Sequence, residues 1–76
     1  MPTITRYIRR EWSRFPMTAL EATAEQFEKA RSEARQDQVE VITFPDAYGR
    51  KTTVTTIYLG GEAGIESREI EVDYEL

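Results

Sequence analysis

Residues 67–76 alternate with a period of two, and this alternation constrains the fold more than any other part of the chain. The apolar residues share one parity: Ile70, Val72, Tyr74 and Leu76. After Ser67, the other parity carries four carboxylates, called here the acidic row: Glu69, Glu71, Asp73 and Glu75. Successive side chains of a strand point to opposite faces, so the pattern predicts a half-buried β-strand. One face packs on a core and the other carries a line of negative charge.

A helix and two further strands are predicted before this segment. Thr23 is a favourable N-cap, Gln26 completes a capping box, and apolar residues recur at three- and four-residue steps around Phe27, which predicts a helix over residues 24–36. Residues 38–44 and 52–59 are rich in β-branched side chains and predict two strands. Turn-forming residues at 45–51 predict a hairpin loop between them. Three successive strands with short links favour an antiparallel meander.

The first 22 residues fit two interpretations. Their β-branched and aromatic residues favour two strands, whereas the spacing of Ile4, Ile8, Trp12 and Phe15 also fits a helical stripe. We favour the strands. The fold expected is then a single α+β domain spanning residues 1–76, an antiparallel sheet in the order ββαβββ with one helix packed on one face. The alternative is α-α-β-β-β.

The residue inventory argues against an enzyme. The chain has no cysteine and no histidine, and therefore no thiol nucleophile, no imidazole base and neither of the usual transition-metal ligands. Gly60 and Gly61 stand without the further glycines and lysine of a phosphate-binding loop. There is also no Asp/Asn-rich stretch with calcium-binding spacing. We expect no catalytic residues, no metal and no cofactor.

Charge is distributed unevenly along the chain. The net charge is −4, but residues 1–15 carry +3 and residues 62–76 carry −5, which predicts two electrostatic faces if the fold keeps the two ends apart. The acidic row then has two interpretations. It is the solubilising outer side of an edge strand, or it binds a basic protein, with carboxylates in place of nucleic-acid phosphates. On the second hypothesis Tyr48, in the hairpin loop, is a further contact residue.

Two other functions belong to different classes. The N-terminal segment interleaves arginines with aromatic residues, as single-strand nucleic-acid binders do; the candidate contacts are Arg6, Arg9, Arg10 and Arg14. A sequence pI near 4.8 argues against direct nucleic-acid binding, and these arginines can instead pair with the acidic strand. The third possibility is a structural or assembly subunit that acts through strand-edge oligomerisation.

In size, negative charge and lack of catalytic residues the chain resembles the small proteins that phages use against host machinery, anti-CRISPR inhibitors included. The resemblance is one of general character and implies an inhibitor that docks on the basic nucleic-acid-binding surface of a larger complex. No apolar run reaches the ~18 residues of a membrane span. We therefore expect a cytoplasmic protein, monomer or homodimer, whose partner is a protein with a basic surface.

Overall fold

A computed structural model of the chain describes residues 3–11, 18–60 and 63–72. In chain order, the elements of these residues are β1 (Thr3–Glu11), β2 (Thr18–Glu21), α1 (Ala24–Glu33), a 3-10 turn (Gln36–Gln38), β3 (Val39–Pro45), β4 (Lys51–Gly60) and β5 (Ala63–Glu71). The strands form one antiparallel sheet in the order β2-β1-β5-β4-β3. The expected α+β class, with one α-helix and a five-stranded antiparallel sheet, is confirmed. Residues 3–11 are a strand, so the helical alternative does not apply to them.

Helix α1 begins where the capping box predicts. The Thr23 hydroxyl accepts a hydrogen bond from the Gln26 backbone N–H at 3.2 Å, and the Gln26 side chain accepts one from the Thr23 N–H at 3.0 Å. Two of the N–H groups that a helix start leaves without partners are thereby satisfied. The helix ends at Glu33, earlier than predicted, because Ala34 is already extended and the chain then enters the 3-10 turn.

One buried cluster lies between α1 and one end of the sheet, whereas Val54 of β4, also buried, faces the opposite side of the sheet. Phe27 is the buried residue of the helix and packs against Ile57 of β4 and Ile65 of β5, which are 0% and 2% exposed. The Tyr7 ring of β1 lies 5.6 Å from the Phe27 ring. Burying each large apolar side chain contributes about 1.5 to 3 kcal/mol, so this small cluster fixes the helix across β1, β5 and β4.

Strand β5 corrects two expectations about the acidic row. It lies between β1 and β4, so the edge-strand interpretation is wrong. Ile65 is in the core under α1, and residues at steps of two share a face, so Glu69 and Glu71 lie on the helix side of the sheet. Alternation along one strand cannot predict which side the helix takes. Asp73 and Glu75 lie outside the described residues.

The β1–β5 pairing also brings the basic and acidic segments together. The register runs from Thr3 opposite Glu71 to Arg10 opposite Gly64, so the condition for two separate electrostatic faces is not met in these strands. Gly64 permits close packing on the other side of β5, because a Cβ there would lie 2.7 Å from the Ile57 carbonyl oxygen.

Candidate functional site

Exposed apolar residues are concentrated on one hairpin. Seven large hydrophobic residues are exposed in the described part of the chain, and six of them belong to β3, β4 or the loop between them; the exception is Leu20. We call these six the hairpin surface: Val41, Ile42, Phe44, Tyr48, Tyr58 and Leu59. Single exposed apolar residues are ordinary, whereas several on one hairpin indicate a candidate interaction site.

Strand β3 presents its backbone as well as its side chains. The Asp46 N–H donates to the Arg50 carbonyl at 2.9 Å, so the backbone groups of Asp46 point towards β4, although the Arg50 N–H donates to the Asp46 carboxylate instead of its carbonyl. Bonded and non-bonded pairs alternate in an antiparallel ladder, so Ile42 directs its backbone groups at β4, while Val41 and Thr43 direct theirs to the outer edge. Among the described residues, no strand pairs with that edge.

Both faces of this edge carry apolar side chains. The cross-strand register places Val41 on the helix side of the sheet and Ile42 and Phe44 on the opposite side. Their exposed fractions are 59%, 48% and 38%. Pro45, which lacks an N–H, has the parity that faces outward, so it removes no bond from the β3–β4 ladder. An added strand would therefore find backbone partners and apolar contacts on either face.

The loop that follows β3 is held in one conformation by Asp46. Its carboxylate accepts hydrogen bonds from the Tyr48 N–H at 2.8 Å, the Arg50 N–H at 2.9 Å and the Arg50 Nε at 2.8 Å. Desolvation alone would raise the pKa of Asp46, but these bonds and the guanidinium charge outweigh it and lower the pKa below 3.8. Gly49, with φ at +78°, completes the turn.

Tyr48, one of the predicted contact residues, is strongly exposed. Its side chain is 84% exposed, and the Arg50 guanidinium carbon lies 5.1 Å from the ring centroid. The contact restricts the ring by a cation–π interaction without covering it. The loop therefore presents an aromatic side chain from a preorganised backbone, and aromatic residues of this kind are enriched in the energetic centres of protein interfaces.

The described part of the acidic row is small. Glu69 is exposed, and its neighbours directly across the two adjacent strands are Thr5 and Thr53. Glu71 has an ion pair with Lys51, at 3.8 Å between Oε1 and Nζ. Within the described ranges, Glu69 has no ion-pair partner. One carboxylate on a threonine-rich surface is then available to a basic partner.

The N-terminal arginines are divided between the faces and paired with carboxylates. Arg9 lies on the helix side and Arg6 and Arg10 on the opposite side, because residue positions alternate along β1. Arg9 forms an ion pair with Glu11 at 2.8 Å. Arg6 lies 4.0 Å from Glu21, and Arg10 lies 3.0 Å from Glu66. Arg14 lies outside the described residues. The three described arginines do not form a single basic strip of the kind that tracks a nucleic-acid backbone.

Glu66 is a buried carboxylate that was not predicted from the sequence. Glu66 is 3% exposed, its Oε1 accepts a hydrogen bond from Arg10 Nη2 at 3.0 Å, and Arg68 Nη2 lies 3.9 Å away. Glu66 has the same parity as Ile70 and Val72, the predicted core side, and that parity was the available signal. An acidic residue on the apolar parity indicates a paired, buried charge.

A groove of about 530 Å³ runs between α1 and the sheet. Its floor includes Ile57 and Ile65, and its rim includes Arg9, Lys29 and Glu33. The two floor isoleucines are almost fully buried, and the surface offered to a ligand combines apolar side chains such as Ala30 and Leu59 with a rim of mixed charge. Such a rim has no preferred sign of charge and shows no particular ligand class.

The described residues contain no cluster of three or more acidic side chains able to hold a metal ion, and neither described helix is long and apolar enough to cross a membrane. Comparison of the chain with protein-family models, with curated proteins and with solved structures finds no match. The fold and its surfaces therefore carry the functional argument.

Proposed function

We propose that the chain is a non-enzymatic protein-binding domain that takes up an extended segment by strand addition to the outer edge of β3. The observation that carries this proposal is the hairpin surface, which holds six of the seven exposed large hydrophobic residues of the described chain. Strand addition supplies affinity through main-chain hydrogen bonds and specificity through alternate side chains. Here the outward backbone groups of Val41 and Thr43 supply the main-chain hydrogen bonds, and the apolar residues on both faces of β3 supply the side-chain contacts that give specificity.

The two edges of the sheet are unequal, which favours β3 over β2. Strand β2 has four residues and includes Glu21, whereas β3 has seven residues and a single charge, Glu40. Short or charged edge strands discourage pairing, and long apolar ones invite it. Tyr48 lies just beyond the end of β3, so a segment on this edge also reaches the hairpin loop.

Affinity capture with a matched pair of variants tests the proposal. Val41→Lys/Ile42→Lys places two ammonium groups on the β3 edge, and Ala19→Lys/Leu20→Lys places two on β2, also at exposed positions. We expect tagged wild type and the β2 variant to recover the same protein from a bacterial lysate that also contains the untagged chain, and the β3 variant to lose it. Recovery by the β3 variant, with its far-UV circular dichroism unchanged, contradicts strand addition.

The second candidate is an acidic inhibitor that docks on the basic nucleic-acid-binding surface of a larger complex. It is supported by Glu69, which is exposed and has no ion-pair partner within the described ranges. The test is capture with and without nuclease by a Glu69→Gln/Glu71→Gln/Asp73→Asn variant. Loss of one basic, nucleic-acid-handling protein supports this candidate, and unchanged capture removes it. Raising the salt concentration separates the two candidates further, because contacts between exposed charges are screened whereas strand pairing is not.

A further inference from the structure

We infer that the segment taken up by β3 is the β3 strand of a second copy of this chain, paired antiparallel about a two-fold axis at Ile42. The inference rests on the proposed function, because it names the partner of the same edge. Two five-stranded sheets would then join into one continuous ten-stranded sheet. A two-fold contact of this kind is closed, since each edge is used once.

The backbone pattern selects this register. Val39 to Pro45 pairs fully with its own copy only when residue numbers across the interface sum to 84, which places Ile42 opposite Ile42. Val41 is then opposite Thr43 of the second copy, and both have outward N–H and C=O groups, so each pair makes two hydrogen bonds. Pro45 falls at the end of the ladder opposite Val39, whose N–H already donates to the Gln36 carbonyl. This terminal pair therefore adds no hydrogen bond, and the missing N–H of Pro45 interrupts no interior pair.

Charge also favours this register over the next one along. Glu40 is the one charged residue of β3, and in the Ile42 register it lies opposite Phe44 rather than another charge. A shift that placed the axis at Thr43 would bring Glu40 opposite Asp46 and Pro45 opposite Val41. That shift adds like-charge repulsion and places the Val41 carbonyl, an interior acceptor, opposite the missing N–H of Pro45.

Apolar contact is added on both sheet faces. The two Ile42 side chains, each 48% exposed in the single chain, meet at the axis as a non-hydrogen-bonded pair, the closer of the two antiparallel geometries. Val41, 59% exposed, packs beside Thr43 of the second copy on the helix side. Seven paired residues give an edge about 24 Å long. Pairing along an edge of this length buries less area than a standard protein–protein interface, so we expect a dimer that dissociates on dilution.

Single cysteines test the register directly, because the chain has none of its own. In the Ile42 register the Cα atoms of two Ile42→Cys residues lie about 4.5 Å apart, within disulfide range. Val41→Cys and Thr43→Cys are each displaced by two residues from their own copies, about 8 Å, which is too far. Ala47→Cys, in the exposed loop, reports the rate of random collision.

We expect Ile42→Cys to form a disulfide-linked dimer at least about tenfold faster than Ala47→Cys, because pairing raises the effective concentration of the two thiols. Val41→Cys and Thr43→Cys should crosslink at the collision rate. Ile42→Lys, which opposes two ammonium groups at the axis, should shift the light-scattering mass from dimer towards monomer at high protein concentration. Its circular dichroism should stay that of the wild type.

The inference is overturned if Ile42→Cys crosslinks no faster than Ala47→Cys, or if Val41→Cys or Thr43→Cys is the fastest. A wild type that is monomeric at every concentration overturns it as well. None of these results decides the proposed function, which is measured by loss of a captured protein from the Val41→Lys/Ile42→Lys variant. A captured protein other than this chain, lost with that variant, would support strand addition and overturn self-pairing.

Discussion

Neutralising Glu66 should weaken the fold more than neutralising any exposed carboxylate. The Glu66 side chain is 4% exposed in the middle of the central strand, with Arg10 at 3.0 Å and Arg68 at 3.9 Å. The Nε of Arg68 is buried and has no hydrogen-bond partner in the described structure. Glu66→Gln keeps the volume and one acceptor oxygen, so the change removes mainly the negative charge that offsets two guanidinium groups.

The loss of folding free energy in Glu66→Gln depends on how much water reaches the two arginines. Removing one partner of a fully buried ion pair costs about 3 to 5 kcal/mol. Here the Arg10 and Arg68 side chains are 43% and 40% exposed, so water reaches them and the loss is closer to that of a charged hydrogen bond, about 1.5 to 3 kcal/mol. For a domain of this size, a loss of about 2 kcal/mol lowers the Tm by roughly 8 to 16 °C.

Urea unfolding followed by circular dichroism measures this effect. Glu69→Gln is the matched control, because Glu69 is exposed on the same strand, and its change should stay within about 0.5 kcal/mol. A double-mutant cycle of Glu66→Gln with Arg10→Met should show coupling of about 1 kcal/mol or more, since the two residues are in contact. If Glu66→Gln is as stable as Glu69→Gln, the reasoning about the buried charge is refuted.

Three further predictions concern the helix cap, the close strand packing and the hairpin loop. Thr23→Ala should lower the free energy of unfolding by about 1 kcal/mol through loss of the bond to Gln26, and Thr23→Ser should restore most of it in the same urea titration. Gly64→Ala should cost about 1 to 3 kcal/mol, because its Cβ meets the Ile57 carbonyl; an unchanged Tm would contradict that packing. Asp46→Asn should destabilise the protein at neutral pH. Because the folded-state pKa of Asp46 is below 3.8, the difference from wild type should shrink as the pH falls through that pKa, and a difference independent of pH would contradict the loop geometry.

Local patterns in the sequence predicted local structure well. The capping box of Thr23 and Gln26 identified the first residue of α1, because both bonds join residues three apart. The β-branched runs identified β3 and β4, and turn-forming residues identified the loop that Asp46 holds. What these patterns share is that the interactions they depend on lie within a few residues of one another.

Pairing between strands that are far apart in the chain was not predicted from the sequence. Nothing in a period of two distinguishes a central strand from an edge strand, and β5 became central because β1 pairs with it across more than fifty residues. The same pairing explains why Glu66 is buried, since its partner Arg10 comes from the far end of the chain. The sequence also did not predict which face of β5 packs against the helix, because that face is determined by the residues on which Phe27 packs.

The β1–β5 pairing also changes which surface best explains a binding function. The strongly charged segments of the sequence suggested that charge was the interacting feature, yet these segments are neighbouring strands in which Arg10 and Glu66 satisfy one another. Charges that are paired inside a sheet are poorly placed to attract a partner. The apolar β3 edge has no such internal partner among the described strands. The interaction is therefore expected where the sequence is least charged, and charge near β3 acts mainly by setting register through Glu40.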